Sequence, residues 1–193
     1  MVIEDDYDAE FRYDREPIGA VQGLCSDRIV YAGTASKTLA PGLRLGWLAA
    51  PRRLVEPIAE AKMAADHGSS GFEQLALADF IDSGELDRHL RRVRPIYRRR
   101  RDAMLAALRR HLPAARPVGA SAGLHLLAWL PPEADDVALV ARAAEAGIGL
   151  VPASTAWCGA APRPGLVFGY AATDEQRIDA GVERLAALLD ERR

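Results

Sequence analysis

A lysine, a carboxylate, two hydroxyls, a phenol and an arginine are spaced so that they could together hold one small organic phosphate. Lys37 lies in a run of small residues, Thr34-Ala-Ser-Lys37. A lysine amine can condense with an aldehyde. An arginine cannot, because its guanidinium keeps its proton. The composition adds weight: of 25 basic residues only Lys37 and Lys62 are lysines, and the rest are arginines. A carboxylate such as Asp5, at the end of an apolar run, would keep a nearby ring nitrogen protonated. Thr34, Ser36 and Arg44 offer hydroxyls and a cation to a phosphate. Tyr7 offers a phenol to a ring oxygen. The set suits a cofactor with a ring nitrogen, an aldehyde and a phosphate.

These residues need strands to position them. Met1-Val2-Ile3, running into Glu4-Asp-Asp6, predicts a buried strand ending in carboxylates. Residues 28–33 predict a second strand and residues 43–50 a third. Asp5 and Asp6 then close the first strand, Lys37 follows the second and Arg44 opens the third. Ligands of open α/β sheets sit beyond the carboxyl ends of strands. From Pro51 to about His111 the spacing is helical, interrupted at Gly68-Ser-Ser-Gly71. Leu86, Leu90, Val93, Tyr97, Met104, Leu108 and Leu112 recur at helical spacing in its last stretch. After Pro113, residues 124–130, 148–151 and 166–170 read as strands. Asp135-Asp136 caps a helix that runs to Ala146 and ends at Gly147. Thr173-Asp-Glu-Gln176 has capping-box form before a helix carrying Ile178, Val182, Leu185 and Leu189.

The 193 residues are 49% apolar and 27% charged, as in soluble globular domains. A net charge of −2 directs the chain neither to nucleic acid nor to acidic membranes. No apolar run approaches the roughly 20 residues of a membrane span. No leader-like segment opens the chain, so a cytoplasmic location is expected. Cys25 and Cys158 fit two reduced thiols. His67, His89 and His111 lack metal-ligand spacing, and no metal is expected. Lys62 reads as a solvated helix residue and His125 as a satisfied core histidine. The eight arginines from Arg88 to Arg101 read as a solvated helix face with i,i+4 partners, in preference to a nucleic-acid contact.

Pyridoxal 5'-phosphate (PLP) combines a ring that acts as an electron sink, an aldehyde and a phosphate. Two long motifs carry a resemblance to proteins that use it. The stretches Glu4-Asp-Asp-Tyr-Asp-Ala-Glu-Phe-Arg-Tyr13 and Tyr31-Ala-Gly-Thr-Ala-Ser-Lys-Thr-Leu-Ala-Pro-Gly-Leu-Arg-Leu-Gly-Trp47 resemble the fold-type I, class I/II aminotransferases. Together with Gly84-Glu-Leu-Asp-Arg-His-Leu-Arg-Arg-Val-Arg94 and Ala122-Gly-Leu-His-Leu-Leu127, they are most similar to the aminotransferase-like domain of MocR-type regulators in the GntR superfamily. The resemblance covers essentially the whole chain.

It implies an α/β fold of the fold-type I PLP-dependent transferases. Residues 1–58 would be the C-terminal part of the PLP-binding large domain, 59–112 connecting helices, and 113–193 the small C-terminal domain. Lys37 would hold the cofactor as a Schiff base and move protons. Asp5 would pair with the pyridine nitrogen and Tyr7 would contact the 3-oxygen. Thr34, Ser36 and Arg44 would hold the phosphate. Asp6 and Asp8 receive no role. The family's glycine loop, ring-stacking aromatic and asparagine would lie upstream of Met1, as would a regulator's DNA-binding winged helix. Val167 stands where many aminotransferases place the arginine that binds the substrate carboxylate, with Arg163 nearby. Three readings follow. One is amino-group transfer between an amino acid and a 2-oxo acid. Another is a PLP-binding, effector-sensing domain with little turnover. The third is an inactive remnant. The implied partners are an amino acid or amine and a second copy in a homodimer.

Overall fold

The computed structural model describes residues 1–8, 10–14 and 19–190 and divides the chain into two compact units, residues 1–92 and 93–193. Ala9, within the first motif, lies outside the described residues.

The first unit is built on a three-stranded sheet in the order β1-β2-β3. β1 is Val2–Asp6, β2 is Ile29–Thr34 and β3 is Gly46–Ala49. Helices α1 (Arg52–Asp66) and α2 (Gly71–Asp82) follow, and α3 (Glu85–His111) runs on into the second unit. Gly84 takes a positive φ of 72°, which ends α2 and frees α3 to start. The sequence pattern missed this second break.

A small core holds the unit: Phe11, Ile29, Val30, Ala35, Leu45 and Leu90 are buried. The first strand departs from expectation. Val2 is 53% exposed and Ile3 74%, so β1 is a strand but not a buried one. It is an edge strand, and no described element of this unit covers those side chains. Neither α1 nor α2 has a buried residue, and Phe72 and Leu75 of α2 are 80% and 73% exposed. Strands paired in parallel are usually covered on both faces.

The second unit carries its own core. β4 (Arg116–Val118), β5 (His125–Trp129), β6 (Val151–Pro152) and β7 (Gly165–Gly169) form an antiparallel sheet in the order β4-β5-β7-β6. Helices α4 (Asp136–Glu145) and α5 (Glu175–Asp190) complete it. Alternation sorts β5 and β7. Leu126, Ala128, Leu166 and Phe168 are buried, and so are Met104, Leu108, Leu139, Ile178, Val182 and Leu185 on the helices. Asp136 ties the unit together: its carboxylate accepts from Ser154 Oγ at 2.7 Å, and from the Ser154 and Gly165 backbone N–H groups at 3.0 Å each.

The predicted elements shift in places. The strand expected at 148–151 shrinks to Val151–Pro152, and β4 was not foreseen. Asp135 caps α4 as expected, accepting from Ala138 N at 2.9 Å. At α5 the cap is Asp174, which accepts from Arg177 N at 2.8 Å, so the box sits one residue later than Thr173 implied. His125 is exposed and not a core histidine, because the pleat of β5 turns it away from Leu126 and Ala128. The arginine-rich helix is not one solvated face either. Arg101 is 4% exposed, bonds Asp102 and donates to Ala120 O at 2.9 Å, and Arg100 donates to Ala171 O.

Candidate functional site

Strand direction gathers the candidate residues at one edge of the first sheet. β1 and β2 run parallel, with Asp5 opposite Ala32 and Asp6 opposite Gly33. Both strands end on the same side, where Thr34 is the last residue of β2. β3 runs the other way, with Thr34 opposite Gly46. The start of β3 therefore abuts the end of β2. The third strand begins at Gly46 and not at residue 43, because Pro41–Leu43 forms a 3-10 turn. Arg44 closes that turn two residues before β3 and so reaches the same edge.

The connection between β2 and β3 holds itself. Thr34 Oγ1 donates to Leu45 O at 3.0 Å and accepts from Ser36 N at 3.1 Å. Ala35 N donates to the same carbonyl at 3.0 Å. Arg44 sits at φ 50°, ψ 29°, a left-handed conformation that a side chain with a Cβ rarely adopts. Gly33 is required where it stands: a Cβ there would fall 2.5 Å from the Trp47 indole. The indole thus lies against the backbone one residue before Thr34. His89 Nε2 lies 2.9 Å from Thr38 O, the residue after Lys37, and Arg92 approaches His89 Nδ1 at 3.4 Å. With Nδ1 accepting from a guanidinium, Nε2 carries the proton and donates. Gly33, Trp47 and His89 were missed in the sequence. Their roles rest on contacts between elements and leave no local pattern. Only the glycine next to a small-residue loop hinted at close packing.

Hydrogen bonding separates the polar groups at this edge into two sets. Glu4 accepts from Val21 N and Gln22 N at 2.9 Å each, and Asp6 Oδ2 accepts from the Tyr31 hydroxyl at 3.3 Å. The Thr34 hydroxyl spends its one proton on Leu45 O. The side chains of Asp5, Ser36, Lys37 and Arg44 have no such partner among the described residues. Asp5, Lys37 and Arg44 are exposed. The described residues therefore supply no burial to the Asp5 carboxylate or the Lys37 amine. The Tyr7 hydroxyl is pushed above its ordinary 10.0 by the Asp8 carboxylate, then by partial burial and by Asp5, so it stays a protonated phenol. A free carboxylate, hydroxyl, amine and guanidinium at one sheet edge can pair with a ring cation, condense with a carbonyl and neutralise a phosphate.

In the second unit, Val167 lies opposite Leu127 on one side and Val151 on the other. This row offers no cation to a carboxylate. Arg163 is held elsewhere, with its guanidinium 4.4 Å over the Trp129 ring. Among the described residues, no helix is long and apolar enough to cross a membrane and no side-chain cluster could hold a metal ion.

Residues 9–185 match the model of the family "Aminotransferase class I and II". The chain is 38% identical to the uncharacterized HTH-type transcriptional regulator YhdI of Bacillus subtilis (strain 168), over 96% of this chain and 40% of that protein. It is 36% identical to the probable rhizopine catabolism regulatory protein MocR of Rhizobium meliloti, over 95% of this chain and 38% of that protein. Among solved structures it resembles the kynurenine aminotransferase of Pyrococcus horikoshii, with a TM-score of 0.91 and 30% identity, over 98% of this chain and 48% of that one. The chain thus spans less than half the length of these relatives. Its fold is that of the fold-type I PLP-dependent transferases, and the chain belongs to the class I and II aminotransferase family.

Proposed function

We propose that this chain supplies the lysine-bearing part of a PLP site used for amino-group transfer between an amino acid and a 2-oxo acid. One observation carries the reading. Asp5, Ser36, Lys37 and Arg44 stand uncommitted at one sheet edge while their polar neighbours are engaged. The donor set fits the cofactor group by group. Asp5 would pair with the pyridine nitrogen and Tyr7 with the 3-oxygen. Ser36 and Arg44 would hold the phosphate. Thr34 shares that role only if its hydroxyl turns from Leu45 O. Lys37 would hold the aldehyde carbon and, once released, carry protons on Nζ. PLP, when bound, supplies the electron-withdrawing ring. The division into a large-domain segment (1–58), connecting helices (59–112) and a small domain (113–193), and assembly as a homodimer, belong to the same proposal.

A second reading has its own support. The two regulators named above are more identical to this chain than the aminotransferase of known structure is, and the Val118–Leu127–Val167–Val151 row lacks a cation. On that reading the domain binds PLP and an amine or amino acid as an effector, turns over little, and meets DNA through a winged helix elsewhere in a longer protein.

The test is borohydride reduction in the presence of PLP, on the chain and on the longest in-frame product containing it, followed by peptide mapping. A pyridoxyl group on Lys37 is the expected result, lost in Lys37→Arg. A stable adduct on Lys62, or one that persists in Lys37→Arg, sinks the assignment. Half-transamination with a panel of amino acids then separates the two readings: conversion supports the enzyme, and binding without conversion supports the sensor.

A further inference from the structure

A cavity of about 460 Å³ opens in the second unit between the end of α3, the loop after β5, and helices α4 and α5. All its lining residues lie between His111 and Leu189, so it shares none with the Lys37 edge. Its volume falls in the range of small-molecule sites, about 300–1,000 Å³. Leu112, Leu130, Leu139 and Leu189 give it apolar walls.

Arg142 also lines it. An arginine in the last turn of a helix is ordinary, since it complements the helix dipole. Arg142 is set apart because its guanidinium lines the cavity and has no hydrogen bond or ion pair among the described residues. An unpaired guanidinium on the wall of a cavity is available to an anion that enters it. The other charged residues of the cavity do not neutralise Arg142. His111 pairs with Asp179 at 3.2 Å, Asp135 is engaged in capping α4, and Glu133 is exposed with no ion pair to Arg142.

We infer that this cavity binds a small carboxylic acid with an apolar body, the carboxylate on the Arg142 guanidinium and the body against the leucines. A planar guanidinium matches a carboxylate with two parallel donors, and the dry wall beside it strengthens the pairing. The site is independent of the PLP reading, because none of its residues takes part in it.

The test is calorimetric titration of the chain with hexanoate, and with hexanamide as the uncharged isostere. Saturable binding of hexanoate is expected, with hexanamide weaker by about tenfold or more. Arg142→Gln should weaken hexanoate by a similar factor. Arg142→Lys, which keeps the charge but not the fork, should weaken it less. Arg163→Gln and Lys37→Ala should leave it unchanged. Circular dichroism of each variant checks folding, and Arg142→Lys carries the test if Arg142→Gln does not fold. The inference is overturned if hexanoate does not bind, if hexanamide binds equally, if Arg142→Gln binds as the parent does, or if Lys37→Ala abolishes binding. That last outcome would place the acid at the other site.

Discussion

The His89 imidazole and the Thr38 carbonyl, 2.9 Å apart, tie the first turns of α3 to the residue that follows Lys37. Fifty-one positions separate the two residues, so the bond is a tertiary restraint on the lysine loop. A net intramolecular hydrogen bond contributes about 1 kcal/mol. His89→Ala should therefore speed amide exchange over residues 37–40 by about fivefold, and His89→Gln should restore part of the protection. Unchanged exchange in His89→Ala would show that the loop is held by its own bonds alone.

The Trp47 indole leaves no room for a side chain at Gly33, under the candidate site. Gly33→Ala forces the indole or β3 to move, at a cost of about 1–3 kcal/mol for overpacking. A lower urea midpoint and a changed tryptophan emission are expected. Gly33→Ala combined with Trp47→Leu should recover much of the loss, because the clash is with the ring. An unaltered midpoint in Gly33→Ala would mean that the indole has free space to retreat into.

Arg44 couples strain to charge. Its left-handed backbone costs roughly 1 kcal/mol relative to glycine. Arg44→Gly should raise stability by about that amount while weakening PLP phosphate binding by about tenfold or more. Opposite signs in the two measurements are the signature. A variant that gains stability and keeps full PLP affinity would remove Arg44 from the phosphate site.

Asp136 makes the second unit sensitive to acid. Burial opposes its charge, yet hydrogen bonds from Ser154, Gly165 and Val137 outweigh that penalty and hold its carboxyl below the ordinary 3.8. A carboxyl with a lowered folded value stabilises above its unfolded value, near 3.9, and loses that contribution as pH falls through the folded value. Unfolding followed from pH 6 down to pH 2 should show an acid loss that Asp136→Asn flattens. At neutral pH the variant should be about 2 kcal/mol less stable, since these donors lose a charged acceptor. An acid limb identical in the two proteins would assign the acid sensitivity to other groups.

Much of the local structure was legible because its causes are local. The short apolar runs around Val30, Leu126 and Phe168 gave strands. The spacing of Leu90, Met104, Leu108 and Leu112 gave one helix face, and all four are buried. Asp135 announced its cap. The misses share a different cause. His125 and Arg101 were read from the company they keep in sequence, but pleat direction exposes the first and a carbonyl from the loop before β5 buries the second. The burial of Val2 and Ile3 was inferred from their apolarity, which states what a side chain needs and not which element meets it.

By itself the sequence determined the chemistry available: one lysine in a small-residue loop, a carboxylate ending a strand, and an arginine ahead of the next. These are matters of residue type and short spacing, which backbone geometry translates directly. Only the tertiary structure decided that β3 runs antiparallel and so brings Arg44 to the edge where Asp5 and Lys37 lie. It alone decided which polar groups are spent, with Thr34, Asp6 and Glu4 engaged and Asp5, Ser36 and Lys37 free. It alone revealed the Arg142 cavity. Each of these depends on groups far apart in the chain meeting at hydrogen-bond distance, and a one-dimensional pattern carries no distance.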